Sequence, residues 1–257
     1  MPLRVTVLRF DSLASTNSEA ARQAAGGVPE GLCVVAREQT AGRGRKLRVW
    51  VSPADAGLYF SIVLRPRLEI KEWPLLTLVA AIAVADALRE ACDLEVDIKW
   101  PNDIHAGGRK LCGILAETVE TPPPQGRACI IGIGINLTAR AFPPELSEVA
   151  TSIEKLTGSR PDVEVLLGAL LRAIEHRYTR WQSVGGGEES RREWSRRSSY
   201  AEGKRVRVAH GEEFFEGMTR GLASDGALRV ETNDGKIRVV RAGDVTALRP
   251  VEGINEN

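Results

Sequence analysis

The 257-residue sequence predicts an α+β protein: a mixed central β-sheet with helices packed on one face, followed by a small SH3-like β-barrel. Three observations lead there. Short apolar, β-branched runs alternate with long helical patterns as far as about residue 200. From about residue 203 the texture changes to five short strands, punctuated by Gly211, Asp225-Gly226, Asp234-Gly235 and Gly243. The composition, 43% hydrophobic and 27% charged, is that of a globular chain able to bury a core. The expected organisation is a first domain over 1–202, a barrel over 203–250 and a tail over 251–257.

Val5 to Phe10 alternates as a strand does. The capping-rich stretch from Asp11 to Asn17 precedes an alanine-rich helix over about 18–25, which Gly26-Gly27-Val28-Pro29 stops. Leu32 to Ala36 is a short apolar strand, and residues 38–50 form a loop without hydrophobic period. Leu58 to Leu64 reads as a strand, and 73–91 as a helix apolar on nearly all sides, hence central. Val96 to Trp100 is a strand ending in a Pro101-Asn102-Asp103 turn. Lys110 to Val119 and Ala128 to Leu137 are two further strands, joined by an exposed turn at Pro122-Pro123-Pro124. Asp162 caps a helix to about Gln182, with apolar residues at 163, 166, 167, 170, 174, 178 and 181. Gly185-Gly186-Gly187 breaks it before a charged helix over 188–199. The last five strands are Lys204–Val208, Phe214–Leu222, Leu228–Glu231, Lys236–Val240 and Val245–Leu248.

Several function classes are excluded. A net charge of +1 carries no basic excess to drive non-specific nucleic-acid binding. Four cysteines (33, 92, 112 and 129) with no CxxC suit reduced cytosolic thiols rather than a disulfide scaffold or zinc knuckle. The start is too interrupted for a signal peptide, and the most apolar stretch, Leu75 to Leu88, is too short to cross a bilayer. Three histidines without HExxH argue against a zinc hydrolase, and neither GxSxG nor GxxxxGK[ST] occurs.

Four segments carry chemistry. Between 37 and 50, five cations (Arg37, Arg43, Arg45, Lys46, Arg48) face one acid, Glu38, and glycines alternate with arginines. Glycine lets backbone N–H groups converge and arginine adds forked donors, so the loop suits a phosphate or carboxylate cradle. A solvated basic loop is the bland reading. In Lys99-Trp100-Pro101-Asn102-Asp103, a strand end presents an amide and a carboxylate, fit for Mg²⁺ or a triphosphate, or simply for an Asx turn. In Arg109–Glu117, Lys110 enters an apolar strand, where it either snorkels out or meets an anion. Ile131-Gly132-Ile133-Gly134-Ile135-Asn136 lacks the third glycine of a dinucleotide fingerprint. Its glycines suggest close approach of a ligand or another backbone, with Asn136 as a base-reading amide.

Taken together, these segments are far more specific. Ser15-Thr16-Asn17, Gln39-Thr-Ala-Gly-Arg-Gly-Arg, Arg48-x-Trp50, Lys99-Trp-Pro-Asn-Asp, Arg109-Lys-Leu-x-Gly-Ile-Leu and Gly132-Ile-Gly-Ile-Asn-Leu, in that order, closely resemble the biotin protein ligases. The resemblance spans about residues 10–140, and the small C-terminal barrel fits it. It implies adenylation of biotin by ATP with release of pyrophosphate, then transfer to a lysine of a biotin carboxyl carrier protein. Biotin and ATP are thus implied substrates, Mg²⁺ a cofactor, and the carrier domain a partner.

The resemblance also implies residue roles. Ser15, Thr16, Asn17 and Gln39 line the biotin head-group site, with Gly113 in the biotin set. Gly42, Arg43, Gly44 and Arg45 form a loop that closes on biotin and the α-phosphate. Lys110 contacts the biotin carboxylate and the α-phosphate and leads the catalytic candidates, joined by Arg43 and Arg45. Arg48 holds pyrophosphate, Trp50 and Asn136 meet adenine, and Asn102 and Asp103 face the triphosphate or Mg²⁺. No metal-ligand set is assigned. An acyl-adenylate hydrolyses in water, so the 40–50 loop, with no apolar anchor before Leu47, is expected to order over ligand. Leu47 stands where many members have glycine, which bears on the loop's fine conformation. The Ser-Thr-Asn motif begins at position 15, so a ligase without DNA binding is expected, cytoplasmic and off the membrane. The resemblance also allows a homodimer. Cys112, beside Lys110, reads as a buried structural thiol. The enzyme alternative is a lipoate ligase or octanoyltransferase, and the non-enzyme alternative an RNA-binding module.

Overall fold

A computed structural model describes residues 3–124, 126–210, 213–241 and 244–247. Residues 248–250 and the expected tail at 251–257 lie outside them, as do Gly211 and Gly243. The first sheet has seven strands: β1 (Thr6–Leu13), β2 (Leu32–Gln39), β3 (Gly57–Leu64), β4 (Asp97–Lys99), β5 (Asp103–Ala106), β6 (Arg109–Glu120) and β7 (Arg127–Asn136). Their order is β1-β2-β3-β7-β6-β5-β4. β1 and β2 run parallel and every other pair antiparallel, so the sheet is mixed as predicted. β5, only four residues long, escaped the sequence reading because Asp-Ile-His-Ala is too short to display a period.

Helices cover both faces, which corrects the expectation of one. A parallel β1–β2 pair requires a crossover, and α1 (Thr16–Ala25) supplies it. Its Ala20 and Ala24 pack with Leu32, Val34, Val63, Ala128 and Ile130. The alternate residues of the same strands, among them Cys33, Val35, Phe60, Ile62, Ile131 and Ile133, enter the larger core. There they meet α2 (Leu75–Cys92), α4 (Val163–Trp181) and α5 (Gly186–Arg196). A short α3 (Ile153–Thr157) lies between β7 and α4. α2 is buried nearly all round, as its sequence implies. Asp162 caps α4 as expected, its Oδ1 accepting from Glu164 N at 2.8 Å and Val165 N at 3.1 Å.

The triple glycine starts α5 rather than breaking a chain ahead of it. A Cβ at Gly186 would sit 2.0 Å from the Arg180 carbonyl oxygen, so the close turn between α4 and α5 needs the hydrogen there. All five C-terminal strands form: β8 (Glu202–His210), β9 (Glu213–Leu222), β10 (Leu228–Thr232), β11 (Ile237–Val240) and β12 (Asp244–Ala247). They make the predicted SH3-like antiparallel sheet, ordered β11-β10-β9-β8-β12. Trp100 Nε1 donates to Gly226 O at 3.0 Å and Arg191 Nη1 to Ser224 O at 3.0 Å, tying this sheet to the first. No helix among the described residues is long and apolar enough to cross a membrane.

Candidate active site

The site lies on the α1 face of the sheet, where β6 and β7 present glycine. Gly113 pairs with Gly134, and Gly132 lies between Leu115 and Ser61 of the flanking strands. Bare backbone at these positions admits side chains from elsewhere. A Cβ at Gly132 would stand 1.9 Å from Asn17 Oδ1; at Gly134, 2.5 Å from Trp50 Nε1; at Gly113, 3.0 Å from Trp50 Cζ3. The close approach foreseen for these strand glycines is therefore made by the protein's own Asn17 and Trp50.

Thr16 and Asn17 belong to the first turn of α1, two residues earlier than the sequence placed the helix, with Ser15 as N-cap. All three are buried. Gln39 Oε1 accepts from Thr16 N at 2.8 Å and Thr16 Oγ1 at 3.1 Å, while its Nε2 donates to Ser52 Oγ at 2.9 Å. Ser61 Oγ lies 2.7 Å from Thr16 Oγ1 and 2.6 Å from Asn17 Oδ1. Asn17 Nδ2 donates to Glu117 Oε2 at 2.7 Å. A buried polar cluster of this kind keeps its shape because each member orients the next. Ser15 makes no side-chain capping bond, and its side chain lines the adjacent pocket.

The basic loop is a short hairpin. Trp50 N donates to Gly42 O at 2.9 Å and Gly44 N to Arg48 O at 2.7 Å, and Arg43 bridges Val49. A single 3-10 turn, Arg45–Leu47, forms the tip. The left-handed residue there is Lys46 (φ 55°), so the backbone strain falls on the residue before Leu47. Trp50 anchors one limb over the glycines, and Arg43 the other, through Glu117 at 3.1 Å and Ser18 at 3.4 Å.

Lys110 Nζ lies 2.7 Å from Asp103 Oδ1 and 5.3 Å from the Trp50 ring centroid. Its backbone is clamped from the far side by Val149 O and Thr151 N, at 2.8 and 2.9 Å. Asn102 donates from Nδ2 to Ile114 O at 2.7 Å and accepts from Arg45 Nη1 at 3.3 Å. Asn136 Nδ2 donates to Thr151 O at 2.9 Å. These groups enclose a cavity of about 420 Å³ that runs from Ser15, Thr16, Asn17 and Gln39 past Lys110 to Trp50 and Asn136. Every predicted site residue lines it except Gly42, which packs against the Trp50 carbonyl beneath the loop. Cys112 is fully buried, and burial pushes its thiol well above the ordinary thiol range, as expected of a structural cysteine.

Sequence reasoning missed the roles of Ser61, whose signal was a small polar residue within an apolar strand, and of Glu117, which has polar neighbours in β6 and carries no such signal. It also missed Val245 and Thr246 of β12, which reach the cavity from the second sheet and carry no local signal.

The cavity thus joins a polar cluster around Thr16, Asn17 and Gln39 to a lysine beside an indole. The sequence matches the Biotin/lipoate A/B protein ligase family over residues 10–136 and the Biotin protein ligase C terminal domain over 203–246. It is 39% identical over 245 residues to the bifunctional ligase/repressor BirA of Bacillus subtilis, covering 93% of this chain and 73% of that protein. To the biotin–[acetyl-CoA-carboxylase] ligase of Mycobacterium tuberculosis it is 34% identical, over 91% of this chain and 86% of the other. The structure of the Aquifex aeolicus biotin protein ligase in complex with biotin and ATP superposes with a TM-score of 0.81 at 29% identity, covering 95% and 99% of the two chains. The chain belongs to the biotin protein ligase family.

Proposed function

We propose that this protein is an ATP-dependent biotin–protein ligase, acting on the biotin carboxyl carrier domain of acetyl-CoA carboxylase. The observation that carries the reading is the position of Lys110, its ammonium at the indole of Trp50 and its stem against Gly113, in the cavity that begins at the Thr16–Asn17–Gln39 cluster. The hydroxyls and amides of Ser15, Thr16, Asn17 and Gln39 suit a ureido ring, which offers N–H donors and a carbonyl acceptor. The biotin carboxylate, already ionised at pH 7, attacks the α-phosphorus of ATP, and pyrophosphate leaves. Two anions must approach, and Lys110, Arg45 and Arg48 offset that repulsion and the charge at phosphorus. Trp50 stacks on adenine and Asn136 bonds its edge. The loop Gly42–Arg45 shields the mixed anhydride from water. The amine of the carrier lysine then attacks the acyl carbon; the amide forms and AMP leaves.

Mg²⁺ fits as a passenger of ATP rather than of a protein cage. Among the described residues no three His, Cys, Asp or Glu cluster to hold a metal, and Asp103 is the carboxylate in the lining. Asp103, paired with Lys110 in this structure, and Asn102 would supply the protein oxygens to a triphosphate-bound ion. We assign the chain a catalytic part before β8 and the SH3-like part from there on. Four free thiols suit a reducing cytoplasm. A lipoyl ring has no N–H or carbonyl to match the buried amides, which disfavours a lipoate ligase. Incubation with ATP, labelled biotin and the carrier domain is expected to label one carrier lysine covalently. Labelling by lipoate in preference to biotin contradicts the reading.

A further inference from the structure

Glu117, on β6, has no part in the roles above, yet it joins two halves of the site. One carboxylate oxygen, Oε2, accepts from both Asn17 Nδ2 at 2.7 Å and Arg43 Nη2 at 3.1 Å. Asn17 belongs to the head-group cluster and Arg43 to the glycine–arginine hairpin. We propose that Glu117 is a positioning residue for biotin binding: it sets which end of the Asn17 amide faces the head group and pins the hairpin to the same point. This rests on the biotin-ligase reading.

An ionised carboxylate only accepts, so both partners must present N–H groups to it. For Asn17 this removes the amide flip, which is otherwise nearly isosteric. With Nδ2 turned to Glu117 and to Leu115 O at 3.4 Å, Oδ1 takes the proton of Ser61 Oγ at 2.6 Å. The remaining capacity of Asn17 is a lone pair on Oδ1, which matches a ureido N–H and rejects a carbonyl. On the other side, Arg43 bridges Val49, the neighbour of Trp50, so fixing Arg43 fixes both limbs of the hairpin. A partly exposed Arg–Glu pair alone contributes little. Sharing its oxygen with a buried amide makes the pair a geometric constraint on the ligand side chain.

The test compares wild type with Glu117→Ala and Glu117→Gln in the full chain, by biotin-dependent pyrophosphate exchange and by limited trypsin digestion. Glutamine keeps an oxygen able to accept from Arg43, but its amide can also turn to donate to Asn17, so it restores the pin without fixing the Asn17 flip. Glu117→Ala is expected to raise the biotin KM about tenfold, the effect of one lost charge-assisted hydrogen bond, and the ATP KM by less, through the loosened hairpin that carries Arg45, Arg48 and Trp50. Cleavage after Arg43, Arg45, Lys46 and Arg48 should accelerate, and Glu117→Gln should restore the cleavage rate more fully than the biotin KM. An unchanged biotin KM and cleavage rate in Glu117→Ala overturns the proposal, as does an ATP KM that rises more than the biotin KM. If wild type shows no biotin-dependent exchange, the biotin-ligase reading fails, and the trypsin comparison still decides whether Glu117 pins the hairpin.

Discussion

At the scale of single residues, the site depends on what is absent as much as on what is present. Gly132 and Gly134 open space among Ile130, Ile131, Ile133 and Ile135 of β7, and Asn17 and Trp50 fill it. Gly132→Ala would drive a Cβ to 1.9 Å from Asn17 Oδ1, and the backbone on both sides is locked in the sheet. The head-group amide must therefore move. Calorimetric titration should show a biotin affinity at least about tenfold weaker, since buried polar groups are left without their designed partner. Undiminished affinity would remove Asn17 from the head-group role. The order Ser-Thr-Asn, Gly-Arg-Gly-Arg, Lys110 and Asn136 was legible because motif residues lie close together in the chain. The pairings of Asn17 with Ser61 and Glu117, 44 and 100 residues away, were not, because nothing local encodes them.

Among elements, the strands were read well wherever β-branched residues alternated or ran together, and α4 wherever its stripe held the 3.6 period. The basic segment resisted, since a hairpin held by two bridges and a tryptophan has no hydrophobic period of its own. Three helices meet at a charged clamp that sequence could not foresee. Asp86 of α2 accepts from Arg177 of α4 at 2.6 Å and from Arg197, the C-cap of α5, at 2.6 Å. Burial pushes the Asp86 carboxyl up, but the two arginine hydrogen bonds and charges outweigh it and leave it below the ordinary 3.8. The folded state thus binds this proton less tightly than the unfolded chain does. The stabilisation is full above pH 3.8 and is lost as the pH falls through that value toward the lower folded one. Asp86→Ala should cost about 2 kcal/mol in urea unfolding at pH 7, with the gap to wild type narrowing as the pH is lowered. A constant gap across that range contradicts the clamp.

Across the whole molecule, the two sheets form one working unit. Trp100, within the Lys-Trp-Pro-Asn-Asp segment, donates its indole hydrogen to Gly226 of the second sheet, and Val245 and Thr246 reach the cavity. The sequence foretold both parts but not their joint, which depends on contacts between distant segments. It also put all helices on one face, because the crossover role of α1 follows from a parallel pairing that composition does not reveal. The larger core packs on the α2 face, and the cavity opens on the opposite face, beside α1. On the proposed function, this face adenylates biotin with Lys110 at the reacting groups. Biotin-dependent exchange of labelled pyrophosphate into ATP, for wild type and Lys110→Ala side by side, tests it most directly. Wild type is expected to exchange and Lys110→Ala to lose exchange almost entirely. Exchange that ignores Lys110 would move the reaction's charge to the arginines, and no exchange with biotin by the folded wild type would contradict the account outright.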